Sequence, residues 1–160
     1  RPKPQNPIMA DITPRGNGDE NIFHASMDVA AGWEGWFTQW TRTWDAASPA
    51  DLTITDDWAV AKGDGVVFHW TTPLPITLDA KNRRAIIEGR RGRAILTWDE
   101  TVESVYEDLP LQEPIWNDVL KERKEAYFST TPIPETQPRL SLIQRGQSGK
   151  LIVHGALELK

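Results

Sequence analysis

The sequence predicts an all-β fold, a two-sheet antiparallel β-sandwich carrying one short helical insertion near residues 115–125. Three observations predict it. Twelve Pro and eleven Gly are scattered through 160 residues and leave no long helical window. Apolar residues alternate with polar ones in run after run, the period of a half-buried strand. The runs recur at roughly ten-residue spacing with turn chemistry between them, the rhythm of a sandwich.

The elements follow in order. "RPKPQNP" is an extended lead-in, because each proline pushes the residue before it out of the helical region. "IFHASMDV" sets Phe23, Ala25, Met27 and Val29 on one face and His24, Ser26 and Asp28 on the other. "DLTITDD" alternates Leu52 and Ile54 with threonine, and "GVVFHWTT" opposes Val66, Phe68 and Trp70 to Val67, His69 and Thr71. "RRAIIEGRRGRAILTWD" is two strands about a turn from Gly89 to Gly92. "PRLSLIQRGQSGKLIVHGALEL" reads as a hairpin: Leu140 and Leu142 run in, "RGQSG" turns, and Leu151, Val153, Leu157 and Leu159 run out. The helical exception is "PIWNDVLKERKEAY", within a Pro-rich insertion over residues 109–138 of a single domain spanning residues 1–160.

Half of the eight tryptophans sit in "GWEGWFTQWTRTWD": Trp33, Trp36, Trp40 and Trp44. Their spacing fits a helix stripe as well as a strand. Three Thr with Phe and Trp favour the strand, and Gly32 and Gly35 make a poor helix start. A strand over 36–44 puts Trp36, Thr38, Trp40, Arg42 and Trp44 on one face and Phe37, Gln39, Thr41 and Thr43 on the other. Three uses are open to the indole face. It can be core, it can stack on pyranose rings with Arg42 pairing a uronate, or it can meet a neighbouring domain. Arg42 shares the indole phase and must lie near an edge, meet an acid such as Asp56 or Asp57, or face a partner.

Composition excludes several classes. The net charge of −5 argues against nucleic acid, which needs a basic footprint. No apolar run approaches the ~20 residues of a membrane helix. Cysteine is absent, so no disulfide framework or cysteine metal site exists. His24, His69 and His154 each fall on the polar phase of a strand, without His-x-His or His-Glu-x-x-His spacing, so no metal or cofactor is implied. Asp56 and Asp57 are adjacent and point to opposite faces, which prevents their sharing one substrate atom. Arg83, Arg84, Arg90, Arg91 and Arg93 form the local basic run, able to grip an anionic glycan or lie solvated.

The order "IMADITP…IFHASMDVA…GWFTQWTRTWD…ADLTITDDW…GVVFHWTT…AIIEGRRGRAILTWD" resembles the C-terminal β-rich region of heparinase II/III-like polysaccharide lyases. The matching pieces are the "ADIT" strand, Arg42-Thr43-Trp44, Leu52 to Trp58, "VVFHWTT" and the closing Gly149 to Val153. The resemblance implies a parent enzyme with a helical toroid ahead of this region, cleaving uronate-containing glycans by β-elimination with a Tyr and a His. No His precedes Asp11, Pro14-Arg15-Gly16 stands where the family often has Tyr, and Tyr106 and Tyr127 lie far downstream. The expectation is a non-catalytic C-terminal piece of such a lyase, inactive alone. Its partners would be the rest of the parent chain and an acidic polysaccharide, in the periplasm or outside the cell. A free-standing carbohydrate-binding module and a purely structural domain are the alternatives. The residues expected at the substrate or domain interface are Trp36, Trp40, Arg42, Trp44, Arg90 and Arg91.

Overall fold

The structure is a computed structural model and describes residues 12–110 and 136–160. The described residues form β1 (Arg15–Gly18), β2 (Phe23–Asp28), β3 (Phe37–Ser48), β4 (Asp51–Val60), β5 (Gly65–Thr71), β6 (Ile76–Asp79), β7 (Arg84–Glu88), β8 (Gly92–Trp98), β9 (Val102–Pro110), β10 (Thr136–Arg145) and β11 (Ser148–Leu159). Eight of these make one antiparallel sheet in the order β1-β2-β3-β4-β11-β8-β7-β6, and three make a second in the order β5-β10-β9. The all-β, two-sheet reading therefore holds. The helix expected near 115–125 lies outside the described residues. Thr136 pairs with Pro110, so the chain leaves β9 and re-enters β10 at one place, and strand pairing reaches both margins of the expected insertion.

The core lies between the sheets, and the period-two patterns put the right residues there. Ile54, Trp58, Leu96, Trp98, Leu151 and Val153 come from the large sheet, and Val66, Phe68, Leu140 and Leu142 from the small one. Register assembles the large sheet's inner face in rows. One runs Ala25, Trp44, Ile54, Val153, Trp98; the next runs Met27, Arg42, Asp56, Leu151; the third joins Trp40, Trp58 and Gly149.

The hairpin expected at "RGQSG" is corrected. β10 and β11 do not pair; β10 is the middle strand of the small sheet, and β11 lies between β4 and β8 in the large one. Gly146 and Gln147 carry the chain from one sheet to the other, held where Gly146 N–H donates to the Asp64 carbonyl at 2.8 Å and Val60 N–H to the Gln147 carbonyl at 2.9 Å. Two apolar-phased strands joined by a short Gly-containing link look the same locally whether they pair or cross between sheets. Competing edges elsewhere in the chain decide. Glycine is needed at position 65, where a Cβ would collide with the Gln144 carbonyl across the β5–β10 pair. Leu157 and Leu159 keep the expected phase but are 46% and 80% exposed, Leu157 on the wall of an open groove that it shares with Trp70 of the small sheet.

Burial on β11 gives a stability test. Leu151 is fully buried, so Leu151→Ala should cost about 2–5 kcal/mol in urea unfolding. His154 is on the outer face, bonded among the described residues only to the Thr53 hydroxyl at 3.0 Å, so His154→Ala should stay within about 0.5 kcal/mol of the parent. A larger loss at His154 than at Leu151 would invert the face assignment.

Candidate functional site

β3 positions the tryptophan stretch. A bulge between Phe37 and Gln39 changes the strand's phase once. Trp40, Arg42 and Trp44 keep the common face expected of them, and that face is turned inward onto the small sheet. The expected opposition of Phe37 is corrected by the bulge: Phe37 joins the inner face and stacks on Trp40, ring centroids 4.5 Å apart. Trp36 precedes β3, at the end of a segment that includes a short 3₁₀ turn, Ala30–Trp33. Ala61 N–H donates to its carbonyl at 2.7 Å, which fixes the backbone there.

At the centre of the inner face sits Asp56, with 0% exposure. Three donors meet its carboxylate: Arg42 Nε at 2.7 Å, Arg42 Nη2 at 2.7 Å and Trp40 Nε1 at 2.8 Å. The Arg42 guanidinium also lies over the Phe68 ring, 5.1 Å from its centroid, and over Trp40 at 5.8 Å. Phe68 belongs to the small sheet, so the cation is clamped between sheets. A second link crosses nearby, where Trp58 Nε1 donates to Gln144 Oε1 at 2.9 Å while Gln144 Nε2 donates to the Thr101 hydroxyl and the Lys150 carbonyl. Arg42 thus takes the acid partner that the sequence left among three options. Gln144 was missed, although its place in phase with Leu140 and Leu142 is the signal of a buried polar group.

Arg90 and Arg91 lie elsewhere. They form the β7–β8 tip, closed by Gly89 N–H on the Gly92 carbonyl at 2.9 Å, and both are exposed. β8 begins opposite Leu159 at the end of β11, whereas Trp36 leads into β3 at the end where β11 starts. The length of β11 puts the two groups on the order of 30 Å apart. Arg83 and Arg84 stand at the other end of β7, where Arg84 is in register with Thr97 and His154 midway along the sheet, so the basic run is also divided.

The remaining polar groups are mostly spent on one another. Across the large sheet's outer face, register aligns Asn17, His24, Asp45, Thr53, His154, Thr97, Arg84 and Asp79, one from each strand. His24 pairs with Asp45 at 2.5 Å, Lys150 with Asp57 at 3.3 Å and Arg93 with Glu158 at 2.6 Å. His69 is on the far side of the molecule, bonded through Nδ1 to the Ser141 hydroxyl at 3.0 Å, so the three histidines do not converge. Desolvation lowers the His69 pKa, and the nearby Arg139 cation lowers it further against an opposing pull from Glu107. A groove of about 320 Å³ opens at the Arg90 end, lined by Phe23, Leu52, Trp70 and Leu157 with Asp19 and Asp51. Its apolar and acidic walls suit neither a uronate nor a sulfate.

Two measurements check this geometry. Arg42→Met should destabilise the chain by about 3–5 kcal/mol, because Asp56 is left buried without its counter-ion; a loss under about 1 kcal/mol would mean the pair is not closed in solution. His69 binds a proton less readily folded than unfolded, so its contribution to stability is present above its ordinary pKa and is lost as pH falls below it. The urea midpoint should drop between about pH 7 and pH 5 less steeply in His69→Gln than in the parent chain.

No family model matches the chain, and no curated protein does. Solved structures do. The chain is similar to a heparan sulfate lyase from Pedobacter heparinus with a TM-score of 0.68 at 7% identity, over 98% of this chain and 23% of that one. It is similar to a heparinase III with a TM-score of 0.66 at 10% identity, over 93% and 22%. The chain therefore spans less than a quarter of the length of either. At such identities the likeness is one of fold, and the fold is that of a β-rich portion of heparinase III-type lyases, as the strand motifs implied.

Proposed function

We propose that the chain is the C-terminal β-sandwich of a heparinase II/III-like polysaccharide lyase, without catalytic groups of its own, serving to complete and rigidify the catalytic module. One observation carries the reading: nearly the whole chain superposes on under a quarter of a heparan sulfate lyase. The parent's substrate is an acidic, uronate-containing glycan and its setting periplasmic or extracellular. The site geometry is in keeping with a supporting role. Arg42 is held by Asp56, the outer-face charges are largely paired, and the described histidines lie apart on two sheets. Arg90 and Arg91 remain the cations best placed to meet a glycan, being exposed at a loop tip without an acid partner among the described residues.

A carbohydrate-binding module is the second reading, favoured by the exposure of Trp36. Incubation with heparan sulfate, chondroitin or alginate distinguishes the possibilities. The chain alone should release no unsaturated uronate, read by its ultraviolet absorbance, while the complete product of its gene should release it from one of the three. Turnover by the chain alone would overturn the non-catalytic assignment, and none by the complete product would overturn the lyase assignment. Glycan affinity that survives Arg90→Ala/Arg91→Ala and is lost in Trp36→Ala would favour the module.

A further inference from the structure

Trp33 and Trp36 expose 53% and 57% of their surface at the end of the sandwich where β3 starts. Together they present apolar area on the order of 200–300 Å², which reaches the lower edge of the range for the largest patch on an ordinary monomer. The platform is rigid. Trp33 lies on Trp40 at 5.9 Å and meets Phe37 edge-on at 6.4 Å, so an exposed ring rests on a buried one. Trp36 N–H donates to the Trp33 carbonyl at 2.9 Å, and the Trp36 carbonyl accepts from Ala61 and Lys62. The Trp33 ring has little freedom left to lose on being covered, which is the property of an anchor, and Trp36 is held beside it by its backbone.

We infer that Trp33 and Trp36 anchor another portion of the same polypeptide, one presenting an apolar pocket with a basic rim; this rests on the lyase-domain reading above. Three observations select that occupant. The solved lyases place about three-quarters of their length outside the part that matches this chain, so in that architecture a sandwich of this kind has chain to meet. Gly32, beside the platform, faces the Ile12 side chain, so the backbone ahead of β1 passes the same end. The local charge is wrong for an acidic glycan: the flanking residues are Asp28 and Glu34 against Lys62, while Arg145 at this end is engaged by Asp64 and Glu103. An anionic polysaccharide needs a surplus of cations, and a basic-rimmed protein pocket does not.

Hydroxyl-radical labelling read by mass spectrometry tests this on the 160-residue chain and on the complete product of its gene. Trp33 and Trp36 should be oxidised readily in the chain and several-fold less in the complete product, without glycan present. Equal labelling in the two overturns the proposal. Protection that arises only on adding heparan sulfate assigns the platform to glycan and also overturns it. Protection already present in the chain and lost on dilution means a contact between copies and overturns it as well. The lyase reading fails separately, through absence of unsaturated uronate from the complete product whatever the labelling pattern.

Discussion

The carboxylate of Asp56 is the constraint on which the packing of this molecule depends. A fully buried charge is tolerated only when donors replace the water it has lost, and here one guanidinium and one indole do so. That requirement fixes the β3–β4 register, since Arg42 and Asp56 must stand opposite one another, and a slip of one residue would turn Asp56 outward and Asp57 inward. It also fixes the second sheet. With the guanidinium edge committed to Asp56, its face is left for Phe68 of β5, so the ion pair is closed on one side by its own sheet and on the other by the facing one. One row along, the Trp58–Gln144 bond adds a direct polar link between the sheets, from a large-sheet indole to a small-sheet amide.

The same interaction divides the surface by function. A free arginine among tryptophans is a plausible uronate clamp, but this one has its fork occupied and its ring neighbours buried or half-buried. The outer face of the large sheet neutralises its charges in cross-strand pairs, which individually add little stability but leave few cations for a polyanion. Among the described residues, two exposed groups lie at opposite ends: the Trp33–Trp36 platform at one, and the Arg90–Arg91 tip at the other, the end where the groove opens. Sandwich sheets expose their backbone polar groups and loops at their ends, which is where such folds ordinarily meet partners.

The sequence by itself determined most of the strands, their alternation and therefore the fold class, while β1, β6 and β9 lie outside the alternating runs. Local steric and solvation preferences with period two need no distant information, and Val66, Phe68, Leu140, Leu142, Leu151 and Val153 all lie inward as their phase requires. It also determined that Arg42 had to find a special environment, because its phase was apolar. Only the tertiary structure decided which environment that was, since Asp56 is fourteen residues away in chain but opposite in register. Only the tertiary structure decided that β10 and β11 belong to different sheets, because pairing is a competition among all edges rather than a property of the link. The bulge at Thr38 was equally out of reach: one extra residue is invisible in composition, yet it moved Phe37 inward and left Trp36 at the surface. Arg90 and Trp36 looked like parts of one site because both carry binding chemistry, and their separation to opposite ends of a twelve-residue strand follows from sheet order, which depends on contacts far apart in the chain.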